Sequence, residues 1–166
     1  LSSEFAAQDG QAHLGPVEMN YGGGYFKIEA QMDLVETPEL LSVSGATSGW
    51  DFGKILDSVG LGIDAHGKLC GNFNVTGNRS SINTFINSMY GHASISMSQG
   101  DVATSLLELA GLGIFPWPFS DEFRQGYTDI TCVVAPIQIN AGNVSFESVV
   151  AETASVQLVA RGAVNW

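Results

Sequence analysis

Side-chain alternation with period two is the feature that most constrains this chain, and it is clearest from Tyr127 to Trp166. Two runs within this stretch place apolar or small residues at every second position: Val133, Ala135, Ile137 and Ile139, and then Val144, Phe146, Ser148 and Val150. A third run follows the same rule from Ala154 through Val156 and Leu158 to Val164. Such alternation predicts strands with one apolar face and one mixed face. The breaks between the runs are too short for a crossover helix, so neighbouring strands are expected to pair antiparallel as a β-meander.

The same period occurs upstream, where it predicts five further strands and so about eight in total. The predicted strands run over residues 14–21, 26–34, 41–45, 69–75 and 93–97. Residues 1–10 fit no such pattern and are predicted to be a tail or a vector-derived remnant. The remaining residues, 11–166, are expected to form one β domain, because this length is typical of a single domain.

Three short segments change to the spacing of a helix. Phe52–Val59 follows a candidate N-cap, Asp51, and precedes Gly60, which can end a helix. Ile82–Met89 follows Ser80 or Ser81, either of which can cap it, and Val102–Ala110 follows Asp101. We therefore predict a mainly β fold: a curled antiparallel β-meander, forming an open, groove-like sheet, with two or three short amphipathic helices. Three short apolar stripes cannot cover the apolar faces of eight strands.

The charge balance excludes several classes of partner. Six Lys and Arg residues against 17 Asp and Glu residues give a net charge of −11 at pH 7. A chain this acidic is repelled by a nucleic-acid backbone and by anionic lipid head groups. The sequence shows no apolar run long enough to span a bilayer and no signal peptide at Leu1. If the protein is exported, this chain is therefore expected to be an excised piece.

The residues that usually carry chemistry do not form a recognisable site. His13, His66 and His92 are scattered, with no second type of ligand at metal spacing, and the chain has no Gly-x-Ser-x-Gly turn. We predict a protein that is not an enzyme and that has no metal site and no cofactor. Cys70 and Cys132 both lie in predicted strands; they could form one disulfide, but two buried free thiols are favoured.

Several short motifs follow one another in a defined order along the chain. Near the C-terminus they are a Cys-containing strand over residues 129–135, a Gly-centred turn at 140–143, an Ala-Glu-Thr strand end at 151–153 and a closing strand at 160–165. Upstream they are Leu14-Gly15-Pro16, Tyr21-Gly22-Gly23, Gly49-Trp50-Asp51-Phe52-Gly53 and Gly91-His92-Ala93. The order of these motifs, over roughly residues 14–166, resembles the C-terminal domain of the AsmA family of bacterial envelope proteins.

This resemblance implies a non-enzymatic role in moving phospholipid between the bacterial membranes or in maintaining the outer membrane. The domain would be one segment of an apolar β-groove, and its partners would be phospholipid, or another acyl-chain ligand, and the remainder of a larger envelope protein. It would lie in the periplasm, tethered to the inner membrane by a segment absent from this chain. The alternative is a protein-interaction module that assists outer-membrane protein assembly and uses its apolar face in an internal core.

The residues expected to line either the groove or that core share the apolar face of the predicted strands. They are Phe26, Ile28, Met32, Phe73, Val133, Ile137, Val144, Phe146, Val156 and Leu158.

Overall fold

A computed structural model of the chain describes residues 4–21, 23–58, 60, 65–103, 127–154 and 157–165. Nine strands and two helices occur in these ranges. In chain order they are β1 (Phe5–Gln8), β2 (Gln11–Tyr21), β3 (Gly24–Asp33), β4 (Leu40–Asp51), α1 (Phe52–Ser58), β5 (Ala65–Asn78), α2 (Ile82–Ser88), β6 (Tyr90–Ala103), β7 (Tyr127–Asn140), β8 (Asn143–Thr153) and β9 (Gln157–Asn165).

The nine strands form one sheet in which spatial order follows chain order, and every neighbouring pair is antiparallel. The predicted mainly β meander with two short helices is therefore confirmed. The predicted curl is wrong, because the sheet is open and uncurled, with β1 and β9 as its two edges. A curled sheet brings distant strands together, whereas the substantial strand contacts in the described ranges join consecutive strands.

Two predictions about individual segments need correction. The expected tail includes a real strand, since Phe5 to Gln8 pair with Leu14 to Gln11 of β2. The third predicted helix does not begin after Asp101, because β6 continues through Val102 to Ala103 and pairs there with β7. The rest of that predicted helix lies outside the described residues. Backbone pairing with two neighbouring strands outweighs the helical spacing at this point.

The two confirmed helices begin at the predicted residues, Phe52 and Ile82, and α2 ends at Ser88, one residue before its predicted end. The Asp51 carboxylate accepts a hydrogen bond from the Lys54 amide at 3.3 Å, and the Ser81 hydroxyl accepts one from the Thr84 amide at 3.0 Å. Each satisfies an amide that the first turn of a helix leaves unpaired. Gly60 follows α1 with a φ of +76°, which a glycine adopts without steric cost.

The buried core is small and lies where α1 packs on the sheet. Leu56 of α1 is buried against Ala65, Met97 and Ile130 from three different strands. Phe52, Leu69 and Val133 pack around this cluster and are themselves only partly buried. At the opposite end of β5, the ring of Phe85 from α2 lies over Gly77. Both helices therefore pack on the same side of the sheet as the predicted apolar residues.

Candidate functional site

The strand register brings the predicted apolar residues onto one face of the sheet. Directly opposed residues of neighbouring strands point to the same side. One such row crosses five strands, from Ile28 through Gly45, Phe73 and Ala93 to Ile137. Applied to every strand pair, the register places nine of the ten candidate residues on this side; Val156 lies outside the described residues. We call this side the apolar face and the other side the polar face.

The apolar face bears no charged side chain among the residues that the described strands pair directly. Its few polar groups are hydroxyls and one indole, and the Thr47 hydroxyl donates a hydrogen bond to the backbone oxygen of Tyr25. The polar face carries the serines, asparagines, glutamines and charged residues of the same strands, because successive side chains point to opposite sides. The predicted apolar residues and the charged side chains are thus separated onto opposite sides of the sheet. The polar face suits contact with water, whereas the apolar face suits contact with an apolar partner.

Much of the apolar face is open. None of the nine candidate residues in the described part is fully buried; all are half-buried. Several of their neighbours on the same face are exposed and were not among the ten candidate residues: Phe5, Leu14, Met19, Ile95 and Val164. The helices cover only the ends of the central strands, and one layer of sheet cannot bury its own face. A contiguous exposed apolar surface of this kind indicates an interaction site.

A shallow hollow on the apolar face lies at the β1 edge. It has a volume of about 230 Å³ and is lined mainly by apolar side chains, among them Phe5, Leu14, Ala30, Met32 and Leu41. Phe5 and Leu14 are directly opposed across β1 and β2, as are Leu14 and Ala30 across β2 and β3. The alternation of side chains along β2, β3 and β4 indicated that their lining residues share the apolar side of each strand. The register between the strands was needed to show that these residues meet.

Aromatic side chains on the apolar face pack against each other and over glycines of neighbouring strands. The rings of Phe26 and Trp50 stack with centroids 5.9 Å apart and an interplanar angle of 24°. Trp50 lies against the backbone of Gly24, and Phe73 lies against Gly45. At both glycines the ring occupies the space that a side chain would fill.

The charged pairs lie on the polar face. Lys27 Nζ is 2.6 Å from Glu29 Oε1, and this hydrogen bond is the main cause that lowers the pKa of Glu29 and raises the pKa of Lys27. His66 Nδ1 is 2.8 Å from Asp101 Oδ1. His92 is exposed on this face, as predicted. In the described ranges, no group of three or more metal-binding side chains comes together.

Both cysteines are free thiols on the polar face, and the prediction that they are buried is wrong for Cys70, which is exposed. Cys132 is half-buried, and its thiol donates a 3.6 Å hydrogen bond to Glu152 Oε2. Burial, followed by this hydrogen bond, raises the pKa of Cys132. Cys70 and Cys132 lie on β5 and β7, with β6 between them, so their Cα atoms are roughly 10 Å or more apart. A disulfide needs less than about 7 Å, so the two thiols cannot bond within this sheet.

Comparison of the chain with protein-family models, with curated proteins and with solved structures found no match. In the described part of the chain, no helix has the length and apolar character needed to cross a bilayer.

Proposed function

We propose that the apolar face binds the acyl chains of phospholipid and that the domain is a segment of a path for lipid in the bacterial envelope. The observation that carries this proposal is the exposed apolar face, which extends across all nine strands and bears no charged side chain among their directly paired residues. The envelope setting comes from the resemblance to AsmA-like proteins.

An acyl chain suits this face because the chain has no polar groups to satisfy and the face has only a few uncharged ones. Contact between them removes apolar area from water on both sides, which contributes roughly 25 cal/mol per Å². The net charge of −11 disfavours binding through an anionic head group, so the affinity must come from the chains.

The alternative, a module whose apolar face is used up in an internal core, has less support. The fully buried apolar residues in the described ranges are five: Leu56, Ala65, Val75, Met97 and Ile130. Four of them belong to the cluster under α1. An internal core of the size that the alternative requires would need a second layer over the strands on either side of this cluster.

The test compares two valines of the edge strand that differ only in the face they occupy. Val164 lies on the apolar face and Val159 on the polar face, and both side chains are 57% exposed. An aspartate at either position remains solvated, so both variants are expected to fold. Under bound acyl chains the carboxylate of Val164→Asp would be desolvated at a cost of several kcal/mol, whereas Val159→Asp would not be affected.

We expect phospholipid to co-purify with the wild-type protein and with Val159→Asp, and to be depleted in Val164→Asp. Val144→Asp should behave as Val164→Asp does, because Val144 is directly opposite Val164. Mass spectrometry of organic extracts gives the lipid content, and the thermal unfolding transition shows that each variant is folded. Absence of lipid from the wild type, or equal lipid content in the Val159 and Val164 variants, would refute acyl-chain binding at this face.

A further inference from the structure

The polar face has a second hollow, which the lipid proposal does not use. A row of directly opposed residues crosses the polar face, one from each of six consecutive strands: His13, Gln31, Ser42, Thr76, Tyr90 and Asn140. Four members of this row, Gln31 to Tyr90, line a hollow of about 350 Å³ together with Gln11, Met32, Asp33, Thr37 and Leu40. This volume lies at the lower end of the range found for small-molecule sites.

The lining excludes ionic ligands. It contains no Lys, Arg or His to attract an anion. Its one carboxylate, Asp33, accepts hydrogen bonds from the Val35 and Glu36 amides at 2.8 Å each and from the Gln11 amide at 2.7 Å. These bonds, those from the backbone first, lower the pKa of Asp33 and use both of its oxygens. The carboxylate therefore stabilises the turn after β3 and is not available to bind a cation.

The remaining groups suit a neutral ligand with many hydroxyls. The Gln31 side chain makes no hydrogen bond to another residue of the described ranges, so its amide can both donate and accept. The Ser42 and Thr76 hydroxyls bond to each other at 2.8 Å and keep further lone pairs. Tyr90 is 51% exposed beside them and offers both a ring face and a hydroxyl. A sugar ring has the matching surface, with C–H groups on its faces and hydroxyls around its rim.

We propose that this hollow on the polar face is a binding site for a neutral saccharide, with the Tyr90 ring as the stacking platform and Gln31, Ser42 and Thr76 as hydrogen-bond partners. The stacking and hydrogen-bonding groups of this site lie on the opposite side of the sheet from the apolar face, so the two proposals do not depend on each other. A protein with both sites could contact lipid and glycan at the same time.

The experiment measures saturation transfer by NMR from the protein to neutral and charged oligosaccharides. The probes are maltotriose and N,N′,N″-triacetylchitotriose, with trigalacturonate as the anionic comparison. We expect transfer to at least one neutral probe and none to trigalacturonate. Tyr90→Ala and Gln31→Ala should each weaken that binding, Tyr90→Ala by about tenfold, because aromatic contacts of this kind contribute on the order of one kcal/mol.

Tyr25→Ala is the matched control, because Tyr25 is also a partly exposed tyrosine of the polar face but lies outside the hollow. The affinity of Tyr25→Ala for the neutral probe should stay within about twofold of the wild-type affinity, a difference that corresponds to a few tenths of a kcal/mol. Circular dichroism establishes that each variant is folded. Transfer to trigalacturonate alone, transfer to no neutral probe, or equal losses in the Tyr25 and Tyr90 variants would overturn the proposal.

Discussion

Glycines opposite large side chains determine how closely residues pack on the apolar face. At Gly45, an added Cβ would lie 2.5 Å from the Phe73 ring and 2.9 Å from the Lys27 backbone oxygen. At Gly77, where α2 packs on β5, an added Cβ would lie 2.8 Å from the Phe85 backbone oxygen and 2.9 Å from the Phe85 ring. Because a backbone oxygen cannot turn away as a side chain can, a methyl group at Gly45 must displace Phe73 or the neighbouring strand. The close packing at these positions therefore depends on the absence of a side chain at the two glycines.

We predict that Gly45→Ala lowers the free energy of unfolding by roughly 1–3 kcal/mol, the usual cost of overpacking. Gly162→Ala is the control, since Gly162 lies on the same face in β9 and an added Cβ there meets no atom within 4 Å. That variant should stay within about 0.5 kcal/mol of the wild type. Urea unfolding measures both values. Similar unfolding free energies for the two variants would contradict the packing described at Gly45.

At the scale of the element, α2 depends on its ends more than on its apolar stripe. Ile82 at its first position is 80% exposed, and Phe85 supplies its contact with Gly77. The Ser88 hydroxyl at its last position accepts a hydrogen bond from the Asn78 amide at 2.8 Å and donates one to the Thr84 oxygen at 2.7 Å. A helix of seven residues is marginal by itself. It forms here because its cap and these contacts with β5 add to its few internal hydrogen bonds.

Ser81→Ala should therefore destabilise α2 by about 1 kcal/mol, the typical value of an N-cap. Faster hydrogen exchange of the α2 amides is the most direct readout, with urea unfolding as the second. Asn83→Ala is the matched control, because it replaces an exposed residue of the same helix with a better helix former. It should leave exchange unchanged or slow it slightly. Unchanged exchange in Ser81→Ala would show that the cap does not stabilise the helix.

At the scale of the molecule, the two edge strands of this open single-layer sheet differ in how much they contribute to its stability. The four residues of β1 are all exposed, and this strand contacts mainly β2. Strand β9 is also largely exposed, but it pairs along most of β8, whose residues are mostly half-buried. Removal of an edge strand costs the stability of its pairing and exposes the next strand. The two edges should therefore tolerate deletion to different extents.

Deletion of residues 1–8 is expected to leave a folded protein whose midpoint of thermal unfolding falls by only a few degrees, equivalent to about 1 kcal/mol for a chain of this size. Deletion of residues 157–166 should lower the midpoint more, because it leaves the whole of β8 as a new edge. Scanning calorimetry compares the two deletions with the full chain. A larger loss of stability on deletion of residues 1–8 would contradict the marginal role of β1.

Much of the fold follows from local patterns. Period two between Phe26 and Leu34 assigns each side chain to a face, because the geometry of a strand leaves no other choice. The short breaks between runs require antiparallel neighbours, and Asp51 and Ser81 mark helix starts through the bonds that their own side chains make. These features depend on residues close together in the chain. The nine candidate residues in the described part share one face for the same reason.

The rest depended on contacts between distant residues, which no local pattern contains. Phe5 to Gln8 become a strand only because β2 offers them an edge, and residues 102 and 103 join β6 because β5 and β7 lie on either side. The row from Gln31 to Tyr90 is assembled from four strands, so the polar hollow could be found only once their register was known. By itself, therefore, the sequence determined that the nine candidate residues share one face and where α1 and α2 begin. In the described ranges, tertiary structure decided that this face stays open, because whether a sheet curls or acquires a second layer depends on contacts between strands that are far apart in the chain.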